Sequence, residues 1–335
     1  MKYIISRLIW LPIVLWAVAT LTFVTLRIVP GNAIDSVSAQ LKDPVLKARV
    51  RAEWGLDQPI WVQYGAFMGG LAQGNLGVSM ASGLPLSRLL YEKMPPTIEL
   101  AVVALFFSTI IGTGLGVVSV ISRNKWIDYF ARIFAILGIS LPLFWVAIVL
   151  IIIFAVELSW LPPGGRITAG LKYETITNFM LIDLPLTGNW PAFASFLQHL
   201  ILPALAIGLT SAGFVARLTR SAMLEVIRAD YIRTARSKGL SERRVVLVHA
   251  LRNAMLPILT LQGLQFGALL GGAVITEIVF TWPGMGRMLL DGILKRDYPV
   301  VQGAVIFVAF AYVVVNMLVD FTYYLVDPRL RQPSH

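Results

Sequence analysis

Three carboxylates, Glu99, Glu277 and Asp320, stand at the edges of otherwise uncharged apolar text. An ionisable group at membrane depth is a candidate for carrying a proton or a cation, because only a partner offsets the cost of burying it. All three fall near the ends of their windows, where water or a neighbouring donor is within reach, so a structural role is the simpler reading for each. His199, His249 and His335 are scattered over segments that a membrane would separate, and groups on opposite faces cannot complete one metal site. The 335 residues contain no cysteine, which removes disulfide staples, thiolate metal sites and thiol chemistry. No His-Glu-x-x-His occurs and no nucleophile has a recognisable base beside it, so a membrane-embedded enzyme has nothing to build on. There is also no Gly-x-x-x-x-Gly-Lys-Ser/Thr loop to cradle phosphates, and no soluble stretch large enough to hold a nucleotide. None of these residues assembles a recognisable site for bond-making chemistry.

The elements that would position such groups are legible from composition. Hydrophobic residues make up 57% and charged residues 14%, against about 45–50% and about 25% in ordinary soluble domains. Six windows are nearly free of charge: Leu8 to Leu26, Ile98 to Ser122, Ile133 to Val156, Leu200 to Ala216, Pro257 to Phe280 and Val300 to Val319. At about 1.5 Å per residue each reaches roughly 25 to 37 Å, the thickness of a bilayer core. A seventh stretch, Ile60 to Met80, is uncharged but carries Gln63, Gln73, Asn75 and five glycines, and reads as a surface element. The expected fold is therefore all-α and polytopic, with six transmembrane helices. An anchor helix plus outer region occupies residues 1–97, and a five-helix core occupies 98–335. The first segment starts like a signal peptide, yet it runs past the usual apolar core length and lacks a small-residue cleavage site, so it is expected to remain as an anchor.

Charge sets the expected orientation, since short Lys/Arg-rich loops stay in the cytoplasm. With six spans the N-terminus, the turn near Arg123 and Lys125, the loop 217–252 and the tail share one side. That loop holds nine basic residues against three acidic ones. Both termini are thus expected in the cytoplasm. The net charge of +10 is accounted for by topology and anionic lipid, and nucleic acid is not implied.

Within the basic stretch at 222–256, Asp230 is expected to cap a short helix from Tyr231, and Gly239 suits the left-handed residue that ends it. Ser241 then caps a second helix to about Asn253. Spacing places Tyr231, Ala235 and Lys238 on one face, with Arg233 and Ser237 turned away. A helix of about eight residues is marginal alone, so something must hold it. The loop either sets topology at a lipid surface or docks a partner. Gly263, Gly267 and Gly271 recur every four residues, as do Gly112 and Gly116, and allow close helix approach either within the chain or against a partner. Trp282 to Met285, WPGM, reads as a helix-ending turn.

The order YIRTARSKGL followed by HALRNAMLP resembles the cytoplasmic coupling loop of permease subunits in binding-protein-dependent ABC importers, in the dipeptide, oligopeptide and nickel branch. The general family pattern is Glu-Ala-Ala, three residues, Gly, nine residues, Ile, any residue, Leu-Pro. Arg233, Thr234 and Ala235 occupy its first places and Gly239 matches, while Leu256-Pro257 arrives five residues late. The similarity extends through RLIWLPIVLWAVATLTFVTLRIVPG, PPTIELA, SLPLFW, TEIVFTWPGMGRML, RDYPVVQG and LVDPRLR, nearly the whole chain.

The resemblance implies a type I importer-like transmembrane domain forming half of a pathway for a di- or oligopeptide, with nickel, glutathione or another small solute as alternatives. It implies an ATPase-coupling helix made of Tyr231, Arg233, Thr234, Ala235, Arg236, Lys238, Gly239 and Leu240. The implied partners are a second homologous permease, two ATP-binding subunits carrying ATP and Mg, and an extracytoplasmic substrate-binding protein, in a bacterial inner membrane. No cofactor is expected on this chain. The rival class, an ion-coupled secondary transporter, would work alone and use membrane carboxylates.

Overall fold

In the computed structural model, residues 2–28, 52, 54–122 and 124–326 are described. The regular elements among them are all helices. In chain order they are α1 (Lys2–Ile28), α2 (Ile60–Ala72), α3 (Leu86–Ile121), α4 (Lys125–Ser140), α5 (Leu143–Leu150, continuing as a wider π-helical turn over Ile151–Glu157), α6 (Met180–Leu186), α7 (Trp190–Ile227) and α8 (Asp230–Ser237). Then α9 opens at Glu242, widens into a π-helix over Val245–Ala250 and runs on as Leu251–Gly272; α10 (Val274–Val279), α11 (Met285–Leu294) and α12 (Tyr298–Val326) follow.

Among the described residues five helices are long and apolar enough to span a bilayer, and the number reaches six if α4 and α5, a pair bent by 109°, count as one span. The third expected window is therefore broken, not straight. Pro142 follows the break, and a proline disfavours helical geometry in the residue before it, here Leu141 at ψ 132°. The weak seventh stretch forms only the 13-residue α2, too short to cross. Its Tyr64 meets Thr20 of α1 at 2.8 Å, and Phe23 lies against Tyr64 and Phe67. Part of the outer region after α1, residues 29–51 and 53, lies outside the described residues, as do Arg123 and the tail from Asp327 to His335. The side chain of Asp320 is also outside them.

The expected division at residue 97 falls inside α3, which begins at Leu86 and runs unbroken to Ile121. Pro95 and Pro96 sit in its interior, but the helix continues through them.

The core is a parallel pair, α3 against α7. A Cβ added at Gly112 would come within 2.5 Å of Val215 Cβ and 2.8 Å of the Ala212 carbonyl, and one at Gly116 within 2.5 Å of Thr219 Cβ. Gly208 presses in the same way on Phe107 at 2.8 Å. Small residues let the two backbones approach where lipid supplies no hydrophobic drive. On the other side of α7, a Cβ added at Gly213 would come within 2.6 Å of the Ala135 carbonyl oxygen of α4. In α9, Gly267 meets the Tyr312 ring and Gly271 meets Val308, both 2.8 Å from an added Cβ, so these two pack on α12 of the same chain. Gly263 is half-buried in α9.

The bundle has two unlike ends. One carries the arginine-rich connections around α8 and is called here the basic end. The opposite, loop end carries residues 157–189 and 280–297.

Candidate functional site

At the basic end, α8 is bounded by Ala229 and Lys238, and Asp230 is its first residue. The expected cap is thus displaced by one position, and the Asp230 side chain makes no capping hydrogen bond. It lies 97% exposed, 3.8 Å from Arg233. The C-terminal expectation fits the geometry better. Gly239 has φ +76°, its N–H donates to the Arg236 carbonyl at 2.9 Å, and the Leu240 N–H reaches back to the Ala235 carbonyl at 3.4 Å. Such paired bonds around a left-handed glycine form a Schellman turn, which satisfies carbonyls the helix end would otherwise leave open. Arg236 then clasps Glu242 across the turn at 2.7 and 3.3 Å.

The orientation of α8 differs from the expected one. Ala235 was expected on the partner-facing side, but it is buried, together with Ile232. Both pack against Met223, Val245, Val246 and Ala250 of the same chain, and Leu240 joins them. The physical reason is simple: Ile232 is the one large aliphatic residue inside this charged helix, and burying it fixes which side faces in. Ala235, three residues on, follows it. Arg233, Thr234, Arg236, Ser237 and Lys238 remain exposed. Tyr231 stands at the edge, its hydroxyl accepting from Asn253 Nδ2 at 3.0 Å. Ser241 occupies the expected start of the next helix but bonds nothing as a side-chain cap, and that helix passes Asn253 without a break.

At the loop end the acids at the window edges are not solvated. Glu99 is buried and accepts from Arg166 Nη2 at 2.6 Å and from the Leu181 N–H at 2.8 Å, pinning the 166–181 loop to α3. Glu277 is fully buried. Its Oε1 accepts from the Thr97 hydroxyl at 2.6 Å and its Oε2 from the Arg287 N–H at 2.9 Å. The Met285 N–H donates to Thr97 Oγ1 at 2.8 Å. Thr97 and Glu277 therefore cap α11 from two other helices, where a carboxylate is favoured by the exposed N–H groups and the helix dipole. Gly284 is required here, since an added Cβ would overlap the Glu277 carboxylate. The WPGM turn is present, with Thr281 at φ +52°, and Trp282 is buried with its indole N–H on the Pro96 carbonyl at 2.9 Å. A second staple joins Asp297 to Ser79 Oγ at 2.6 Å and to the amides of Met80 and Ala81. In the 157–189 segment, Asp183 accepts from the Thr177 hydroxyl at 2.7 Å and from the amides of Ile176 and Thr177. Burial pushes its pKa up, and these hydrogen bonds outweigh that and leave it below the ordinary carboxylate value.

Residues 1–101 match the N-terminal model, and residues 108–332 the main model, of the binding-protein-dependent transport system inner membrane component. The chain belongs to this family. Among its relatives, the di/tripeptide transport system permease protein DppB of Pseudomonas aeruginosa is 42% identical over 332 residues, 99% of each chain. The dipeptide transport system permease protein DppB of Escherichia coli K12 is 42% identical over 94% of each chain, and that of Alkalihalophilus pseudofirmus 40% over 99% of each. The fold is also similar to a chain of the MetNI methionine ABC transporter, with TM-score 0.54 and 17% identity over 72% of this chain and 97% of that one.

In this inner membrane component, α8 and Glu277 both lie in the main matched segment, and Thr97 and Glu99 lie in the N-terminal one. The structure thus brings Glu277 and Thr97 together across the two segments and keeps both far from α8. It adds Ile232, Thr97, Arg166 and Asp297, which the sequence reading passed over. Ile232 had a signal: an aliphatic residue three before Ala235 in a helix with no other apolar pair. Thr97 and Arg166 had none, because their partners are 180 and 67 residues away. Among the described residues no cluster of three or more His, Asp or Glu could hold a metal ion.

Proposed function

We propose that this multi-pass chain is the permease of a peptide importer driven by ATP, forming half of the passage and taking its drive through α8. The peptide assignment rests on relatives about 42% identical over nearly the full length that carry the names of dipeptide permeases. The basic end is read as cytoplasmic from its arginine excess, with both termini on that side. A substrate-binding protein delivers the peptide at the loop end, a second homologous permease completes the passage, and two ATP-binding subunits hold ATP and Mg at the basic end. The chain itself carries no phosphate loop, so hydrolysis belongs to those subunits. Residues 1–97 supply the anchor and outer region, and 98–335 the core; the division is one of task, since α3 crosses it intact.

The observation that carries the coupling role is the exposed face of α8. A short helix anchored inward by two apolar residues presents Arg233, Thr234, Ser237 and Lys238 outward on a rigid turn ended by Gly239. Ala235 and Leu240 position that face from beneath, while Tyr231 and Arg236 tie its edges to Asn253 and Glu242.

The test is labelled-dipeptide uptake by proteoliposomes holding the permease pair, the ATPases and the binding protein, alongside co-purification of the ATPase. Ser237→Trp and Thr234→Glu, both on the open face, are expected to release the ATPase and cut uptake at least tenfold with the membrane assembly intact. Full association in both variants would return α8 to a topology-setting loop. Uptake by the permease without ATP would replace the importer with a secondary transporter.

A further inference from the structure

Midway along α3 and α9, Gln262 of one helix meets Thr109 of the other inside the membrane-spanning part of the bundle, and Thr113 and Gln265 lie within a turn of that contact on their own helices. Gln262 Nε2 donates to Thr109 Oγ1 at 2.7 Å, and Thr109 donates in turn to the Leu105 carbonyl of its own helix at 2.7 Å. Around this one bond, three buried polar atoms have no hydrogen-bond partner among the described residues: Gln262 Oε1, Gln265 Oε1 and Thr113 Oγ1. In hydrocarbon no water compensates such groups, so their isolation calls for a reason.

The spacing supplies one. Thr113 lies four residues beyond Thr109, and Gln265 three beyond Gln262, so each pair shares one side of its helix. The helices are antiparallel: α3 runs from the loop end to the basic end and α9 returns. Sliding α9 toward the basic end by about one turn, roughly 4.5 to 6 Å, sets Gln262 opposite Thr113 and Gln265 opposite Thr109. Two side-chain bonds then replace one.

We propose that the α3–α9 interface has two hydrogen-bond registers a turn apart, in which Gln262 and Gln265 exchange threonine partners as the passage changes access. One-turn ratchets of this kind occur where packed interfaces are bistable and not continuously deformable. The slide has a consequence at the loop end. Glu277 follows α9 through the single residue Ala273, so the same movement withdraws its carboxylate from Thr97 and uncaps α11. The unoccupied acceptors in the middle and the latch at the end are then two readouts of one displacement. This inference rests on the importer reading, because the two registers stand for its two accessible states.

The chain has no cysteine, so paired cysteines can be placed without removing any. The experiment uses the complete complex in proteoliposomes, with Thr109→Cys/Gln262→Cys and Thr113→Cys/Gln262→Cys treated with a short bifunctional thiol reagent, without nucleotide and after trapping with ATP and vanadate. The 109/262 pair is expected to cross-link at least tenfold more than the 113/262 pair in one condition, with the order reversed in the other. Dominance of 109/262 in both conditions overturns the second register. A milder pair guards against misfolding: Thr113→Val is expected to cut dipeptide uptake about fivefold, the worth of one hydrogen bond, and Thr113→Ser to retain it. Normal uptake in Thr113→Val also overturns the proposal. Failure of the unmodified complex to take up dipeptide with ATP strikes the importer reading itself, and the cross-linking pattern is scored independently of it.

Discussion

Glu277 and Asp230 are both acids beside the start of a short helix, and the chain treats them in opposite ways. Glu277 is buried and caps α11 from outside, with Thr97 closing the other side. Asp230 opens α8 in solvent and caps nothing. The loop-end helix is thus held by directional polar bonds from distant parts of the chain, while the basic-end helix is held by two apolar side chains in a local pocket. A polar latch in a dry site is all-or-none, because a broken partner leaves unsatisfied groups behind. An apolar anchor tolerates small sliding and leaves the charged face free to meet something else. The contrast suits one end that opens and one end that is pushed.

The strongest way to break this contrast is to remove the apolar anchor. Ile232→Ala is expected to cost about 2–5 kcal/mol of local stability, which an eight-residue helix cannot absorb. Limited proteolysis around Arg233 and Arg236 should rise at least tenfold while the membrane helices stay protected; unchanged cleavage would show that α8 is held by something else. Next in size is Glu277→Ala, which strips the partners from Thr97 and the Arg287 amide at about 1–3 kcal/mol for each unsatisfied group. Cleavage or labelling near Met285 should increase, and Glu277→Gln, which keeps an acceptor oxygen, should lose less. Equal effects of the two would mean that shape, not hydrogen bonding, holds α11. Gly239→Val probes the turn alone. A Cβ there meets no neighbour within 4 Å, so the strain comes from φ +76°, about 1–2 kcal/mol. It should weaken ATPase retention less than Ser237→Trp does.

The smallest expected effect concerns pH. The pKa of Asp183 is lowered in the fold, so its contribution is fully present above the unfolded value of about 3.9 and is lost as pH falls through the lower folded value. Protection of the 176–189 segment should stay level from pH 7 to about pH 5 and fall only in stronger acid. Asp183→Asn should lack that acid step and show weaker protection throughout. A loss already complete near pH 6 would point to a different group.

The long helices were legible because they depend on local composition: uncharged windows give spans. The broken third span was half-legible, since Pro142 was visible but a 109° bend depends on how α4 and α5 pack on α7. At α8 the turn at Gly239 could be read directly, because a left-handed residue has a local sequence signature. The facing of the helix could not be inferred from charge spacing alone, and Ile232 outweighed it. Helix α11 carries no start signal of its own in the sequence, because its first amides are capped by Thr97 and Glu277 and not by its own neighbours. The same limit hid Arg166 and Asp297, whose partners Glu99 and Ser79 are remote in sequence.

Helix α7 has 38 residues, about 57 Å of rod, where roughly 30 Å would cross the hydrocarbon. Near one tip the Phe196 ring lies tilted against Trp282, with ring centroids 6.2 Å apart. Near the other, Met223 roofs the pocket that receives Ile232. No loop intervenes between these two contacts, so the rod works as a lever. A tilt of only about 10° carries one tip roughly 10 Å sideways relative to the other. On the coupling role proposed above for α8, a push there would reach the aromatic pair at the far face along one unbroken helix, from Met223 to Phe196.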